Sequence, residues 1–126
     1  TSSTSLVRRV GTMATSLKGP HTLSFDALQR ILPKARTGIF TLGYVDREGR
    51  FRVQAVGRGD YDVRARLSEL IGSSTMFKYA VMTSARDAFL QECALFHDLR
   101  PPSTIIHPAR PRGTDWQCPH CLQHAL

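Results

Sequence analysis

Four residues stand out for the chemistry that their types and spacing permit. Cys93 and His97 lie four apart in a helix-patterned segment, so both side chains leave the same face. Cys118 and Cys121 enclose two residues, the spacing of a zinc knuckle. Together they make a Cys3His set that satisfies tetrahedral zinc and uses all three cysteines of the chain. A closed four-ligand site leaves no position for water, so the zinc expected here is structural. His107, His120 and His124 are alternatives to His97 as the fourth ligand. Plainer readings stand beside this one: Cys93 as a core thiol, His97 as a group in the last helical turn, and Cys118/Cys121 as a redox pair. Redox chemistry of that kind wants a helix start after a strand, whereas this pair sits in a terminal tail.

The elements that must position these residues can be read from pattern. Residues 1–22 are rich in Ser, Thr and Gly with no apolar period, and are read as a flexible leader. Residues 23–126 are read as one domain, of which about 99–126 form the zinc-binding tail. Ser24-Phe25-Asp26 offers a helix start, and the stripe Leu28, Ile31, Leu32 ends at Pro33. Residues 37–45 are β-branched and aromatic, 46–50 are a polar turn, and 51–57 alternate, which together read as a hairpin. Asp60 and Asp62 supply capping chemistry for a helix carrying Val63, Leu67, Leu70 and Ile71 and ending near Gly72. Residues 76–82 read as a third strand, and Ser84 caps a helix over 85–98 with the stripe Ala88, Phe89, Cys93, Phe96. Residues 100–117 carry four prolines and no period, so a loop of that length needs an anchor, which the metal site supplies.

Composition narrows the partners. The 17 basic residues outnumber the 10 acidic ones to give +7, and 14 of the basic residues are Arg. Excess charge of this sign concentrates polyanions, and the planar guanidinium matches phosphate oxygens. Nucleic acid is the expected partner, DNA ahead of RNA, with Arg50, Arg52, Arg58, Arg64 and Lys78 as the phosphate-tracking face. No apolar run reaches bilayer length, and no hydrophobic stretch follows Arg8 and Arg9 as a secretory signal would require. An intracellular location, cytoplasmic or nucleoid-associated, is expected.

Over about residues 35–98 the order of elements and several residues resemble the GIY-YIG nuclease superfamily. Gly38-Ile39-Phe40 is similar to its first strand motif and Ala55-Val56-Gly57-Arg58 to its second. Arg66, in the helix that follows, matches the family's essential Arg. Glu92, in Ala88-Phe89-Leu90-Gln91-Glu92, matches the Glu that binds a divalent cation. The block from Glu92-Cys93 through His97, with His107-Pro108 and Trp116 before the cysteine pair, resembles a zinc-bearing branch of the group.

The resemblance implies an α/β (α+β) fold with a small three-stranded, mostly antiparallel sheet flanked by helices. It also implies metal-dependent phosphodiester cleavage, with Glu92 holding Mg²⁺ or Mn²⁺ and Arg66 stabilising the developing charge. The family's motif tyrosines are Phe40 and Ala55 here, and neither can take a proton. A second register, Gly43-Tyr44-Val45, leaves Tyr44 as the base, on the same strand face as Phe40. Lys78 and Tyr79 are further candidates for phosphate contact or proton transfer. Two other classes stay open beside a nuclease: a degenerate domain that binds nucleic acid without cutting it, and a zinc-stabilised protein-interaction module.

Overall fold

A computed structural model describes residues 17–104 and 106–119. Among these residues four strands and three helices follow in the order β1 (Lys18–Thr22), α1 (Phe25–Ile31), β2 (Gly38–Val45), β3 (Phe51–Gly59), α2 (Val63–Ser68), β4 (Met76–Val81) and α3 (Ala85–Leu99). The strands form one antiparallel sheet in the order β1-β4-β2-β3. The fold is therefore α+β, with a sheet of four strands where the sequence predicts three. The extra strand comes from the end of the segment read as leader. Lys18–Thr22 carries no apolar alternation because it is an edge strand. Its inward contribution is His21, whose ring lies 5.6 Å from Phe77 and 5.9 Å from Tyr79.

Each helix begins as its capping residue dictates. Ser24, Asp62 and Ser84 accept backbone N–H bonds from Ala27, Ala65 and Asp87 respectively. Leu32 closes α1 with an extended backbone, as a residue before proline prefers. The regular part of α2 stops at Ser68, short of the expected Gly72. Hydrogen-bonded turns such as Leu70 N–H to Leu67 C=O carry the chain on to Gly72, which has φ of +100°.

The two sheet faces hold separate cores. Phe40, Leu42, Phe77 and Tyr79 pack against α1 and α2 through Leu28, Leu32, Val63 and Leu67. On the opposite face Ile39, Val56 and Ala80 pack against Ala88 and Leu95 of α3. The expected alternation of β3 breaks in its middle. Leu42 pairs with Ala55 while Gly43 pairs with Val53, so Gln54 is an extra, bulged residue. That insertion puts Val53 and Val56 on the α3 face and Ala55 on the other. It also sets Arg58, opposite Ile39, on the side of α3.

Strand β3 is the second edge of the sheet, and the chain after α3 covers it. Ser103 N–H donates to Gln54 C=O at 2.8 Å, and Thr104 Oγ1 accepts from Val56 N–H at 3.0 Å. Pairing an edge in this way removes the open backbone groups that would recruit another strand. It also starts the path that returns the tail to α3. Among the described residues, no helix is long and apolar enough to cross a membrane.

Candidate functional site

The tail-facing stripe of α3 is Phe89 and Cys93, one turn apart. Together with Cys118 they form a third buried cluster, flanked by Leu90 and Trp116. Over this stripe the tail brings His107. One ligand atom from each of Cys93, His107 and Cys118 lies within 4.8 Å of the others, a group that could hold a metal ion.

The imidazole of His107 is poised for that role. Its Nδ1 lies 2.8 Å from the carbonyl oxygen of Pro108. A carbonyl only accepts, so Nδ1 carries the proton and Nε2 keeps its lone pair. That Nε2 is buried and has no hydrogen-bond partner among the described residues. Fixing one ring nitrogen on a carbonyl while the other faces a metal is the usual arrangement around histidine ligands.

The group of three that the structure assembles contains His107, one of the expected alternatives to His97. Helix α3 carries His97 one turn beyond Cys93, where its ring centroid lies 5.2 Å from that of His107, tilted, and 5.3 Å from that of Phe96, edge-on. Cys121, His120 and His124 lie outside the described residues.

Beside this group lies a buried ion pair. Arg58 Nη1 sits 2.6 Å from Glu92 Oε1, and Arg58 Nε sits 2.7 Å from Asp60 Oδ1. Its remaining nitrogen donates to the carbonyl oxygen of Ala109, and its guanidinium covers the Phe89 ring at 5.3 Å. One side chain thus ties β3 to α3 and to the tail. Burial pulls the Arg58 guanidinium down, but its bonds to Asp60 and Glu92 more than offset this and leave it raised. Burial pushes the Glu92 carboxyl up, with Arg58 acting against it.

The residues expected to act together in catalysis are not brought together. Glu92 is on the α3 face of the sheet. Arg66 is on α2, across the sheet, exposed and paired with Glu69 at 2.9 Å. Tyr44 projects on the α1/α2 face, five residues along β2 from Ile39, the partner of Arg58. That separation is about 17 Å along the strand. Tyr79 is buried in the aromatic cluster with Phe77. Gly57 makes room for the Phe40 ring, since a Cβ there would sit 2.5 Å from Phe40 Cζ.

Nor do the five expected phosphate contacts share one face. Arg58 is consumed by its ion pairs. Arg52 binds Asp46 at 2.7 Å, and Arg50 approaches Glu48 at 4.0 Å. Lys78 lies over the Phe51 ring on the α3 face of the sheet, whereas Arg64 donates to Leu32 C=O beside α1. The buried role of Arg58 was legible only through Asp60 two residues on, since nothing in the linear chain points to Glu92 as its partner.

No protein-family profile, curated protein or solved structure matches this chain.

Proposed function

We propose that this chain is a zinc-braced nucleic-acid-binding domain that grips its partner without cutting it. The observation that carries this reading is the Arg58–Glu92 pair. The carboxylate that a nuclease of this pattern would use to hold Mg²⁺ or Mn²⁺ is bound at 2.6 Å by a guanidinium. The Arg66 and Tyr44 side chains, which the chemistry would need beside it, lie across the sheet. The net charge of +7 supports an anionic partner.

Zinc is the metal that this donor set favours, since two thiolates and an imidazole suit its tetrahedral preference. Knuckle spacing from Cys118 makes Cys121 the expected fourth donor. Bound there, zinc would hold the tail on α3 and exclude water from its own coordination sphere, a bracing role.

A second reading keeps the nuclease. Asp60 and Glu92 converge on one guanidinium. If substrate drew Arg58 away, two carboxylates would face each other and could hold Mg²⁺ or Mn²⁺ for phosphodiester cleavage. The experiment is a binding and cleavage assay on single-stranded, duplex and branched DNA and on RNA, with each of these ions, for wild type and Glu92→Ala. Salt-sensitive binding without cleavage is expected. Metal-dependent cutting that disappears in Glu92→Ala would establish the nuclease instead. Binding that ignores salt would point to a protein-docking module.

A further inference from the structure

The cations that composition offers to phosphate are unevenly committed. At the β2–β3 hairpin end two of the three cations are countered, since Asp46 takes Arg52 and Glu48 lies near Arg50, and Arg47 in the turn is not. At the opposite end of the same strands the balance reverses. The loop between α1 and β2 exposes Lys34 and Arg36, turning at Ala35 with φ of +55°. No carboxylate among the described residues lies within ion-pair distance of either cation.

The backbone on either side of Tyr61 is bonded to this loop. Thr37 Oγ1 donates to Asp60 C=O at 2.7 Å, and Val63 N–H donates to Arg36 C=O at 2.8 Å. These two bonds clamp the loop on both sides of Tyr61. The tyrosine itself is 85% exposed, the most exposed of the large hydrophobic side chains described. Arg64 reaches back to Leu32 C=O across the same junction. The carboxylates present are already engaged: Asp60 by Arg58, and Asp62 as the cap of α2.

An exposed aromatic ring on a backbone clamped to a loop that carries two unpaired cations has the chemistry of a single-strand platform. Every base offers a π-face to stack, while the cations take the neighbouring phosphates. We infer that Tyr61, with Lys34 and Arg36, is the primary contact surface for single-stranded nucleic acid. This deepens the nucleic-acid reading above and rests on it. Duplex would leave the ring without a base to stack on, so single strands should be preferred.

The test measures fluorescence anisotropy of labelled oligothymidine and of a duplex against wild type, Tyr61→Ala, Tyr61→Phe and the double variant Lys34→Ala/Arg36→Ala. All three positions are exposed, and circular dichroism checks that each variant is folded. Tyr61→Ala should weaken single-strand binding on the order of tenfold while Tyr61→Phe retains it. The double variant should flatten the log–log salt dependence by about 1.4. If wild type binds no oligonucleotide at low salt, the nucleic-acid reading fails and this surface with it. If wild type binds but neither Tyr61→Ala nor the double variant weakens it, the surface is wrong and the broader reading survives. Loss in the double variant with no effect of Tyr61→Ala overturns the stacking platform.

Discussion

Arg58 and Glu92 meet at 2.6 Å with side chains only 10% and 8% exposed, joining the edge strand β3 to α3. Desolvating two charges is costly, and their attraction repays it only while both remain. Arg58→Met should therefore destabilise the domain by about 3–5 kcal/mol, because Glu92 and the Ala109 carbonyl lose their donor. The double variant Arg58→Met/Glu92→Met should recover part of that loss, since the more buried carboxylate is removed and only Asp60, 24% exposed, is left without its guanidinium partner. Urea denaturation of the three proteins checks both statements. A double variant as unstable as the single one would show that the pair is not the reason for the cost.

Gly43 and Gly57 both sit on paired strands, yet they should respond differently to a methyl group. A Cβ at Gly43 would lie 1.9 Å from the Arg52 carbonyl oxygen, on the backbone of the bulged strand. At Gly57 the obstacle is the Phe40 ring at 2.5 Å, a side chain with some freedom to tilt. Gly57→Ala should cost about 1–3 kcal/mol, in the range of core overpacking, and Gly43→Ala more. Thermal denaturation of the two variants orders them.

Much of the frame was legible because it rests on local rules. The three capping residues, the hairpin turn and the polar-to-apolar switches each act within four or five residues. What escaped depends on contacts between distant segments. Strand β1 has no pattern of its own and is a strand only because β4 offers it an edge. The bulge at Gln54 turns Arg58 toward α3, which no alternation count along β3 would foresee. The approach of His107 escaped for a similar reason: helical spacing points to His97, but the path of a proline-rich loop brings His107 to Cys93 and Cys118.

Asp46 organises the hairpin and should make it acid-labile. Its carboxylate accepts from the N–H groups of Glu48 and Arg50, both at 2.9 Å, and from Arg52 Nε at 2.7 Å. The Arg50 backbone bond, followed by the Arg52 side chain, holds this carboxyl below its ordinary value of 3.8. A depressed folded-state value contributes stability that is fully present above the unfolded value and is lost as pH falls through the folded one. The stability advantage of wild type over Asp46→Asn should thus be constant near neutrality. It should shrink only in acid below the ordinary carboxyl range. Denaturation curves of both proteins across that range test the sign, and an advantage that grew with acid would contradict it.

The metal group gives the sharpest discrimination among single substitutions. Cys93, His107 and Cys118 supply ligand atoms within 4.8 Å of one another, and His107 already commits its other nitrogen to Pro108. Elemental analysis of the purified chain should find about one zinc per molecule. His107→Ala and Cys118→Ser should each lose most of it, and Cys121→Ser should do the same if that thiol is the fourth donor. His97→Ala should keep it. A chelator applied to wild type should raise the susceptibility of the tail to protease before that of the sheet, because metal binding and tail docking share one free energy. The decisive comparison is between the two histidines. Zinc lost from His97→Ala and kept in His107→Ala would return the histidine ligand to the helix and leave the buried Nε2 of His107 unexplained.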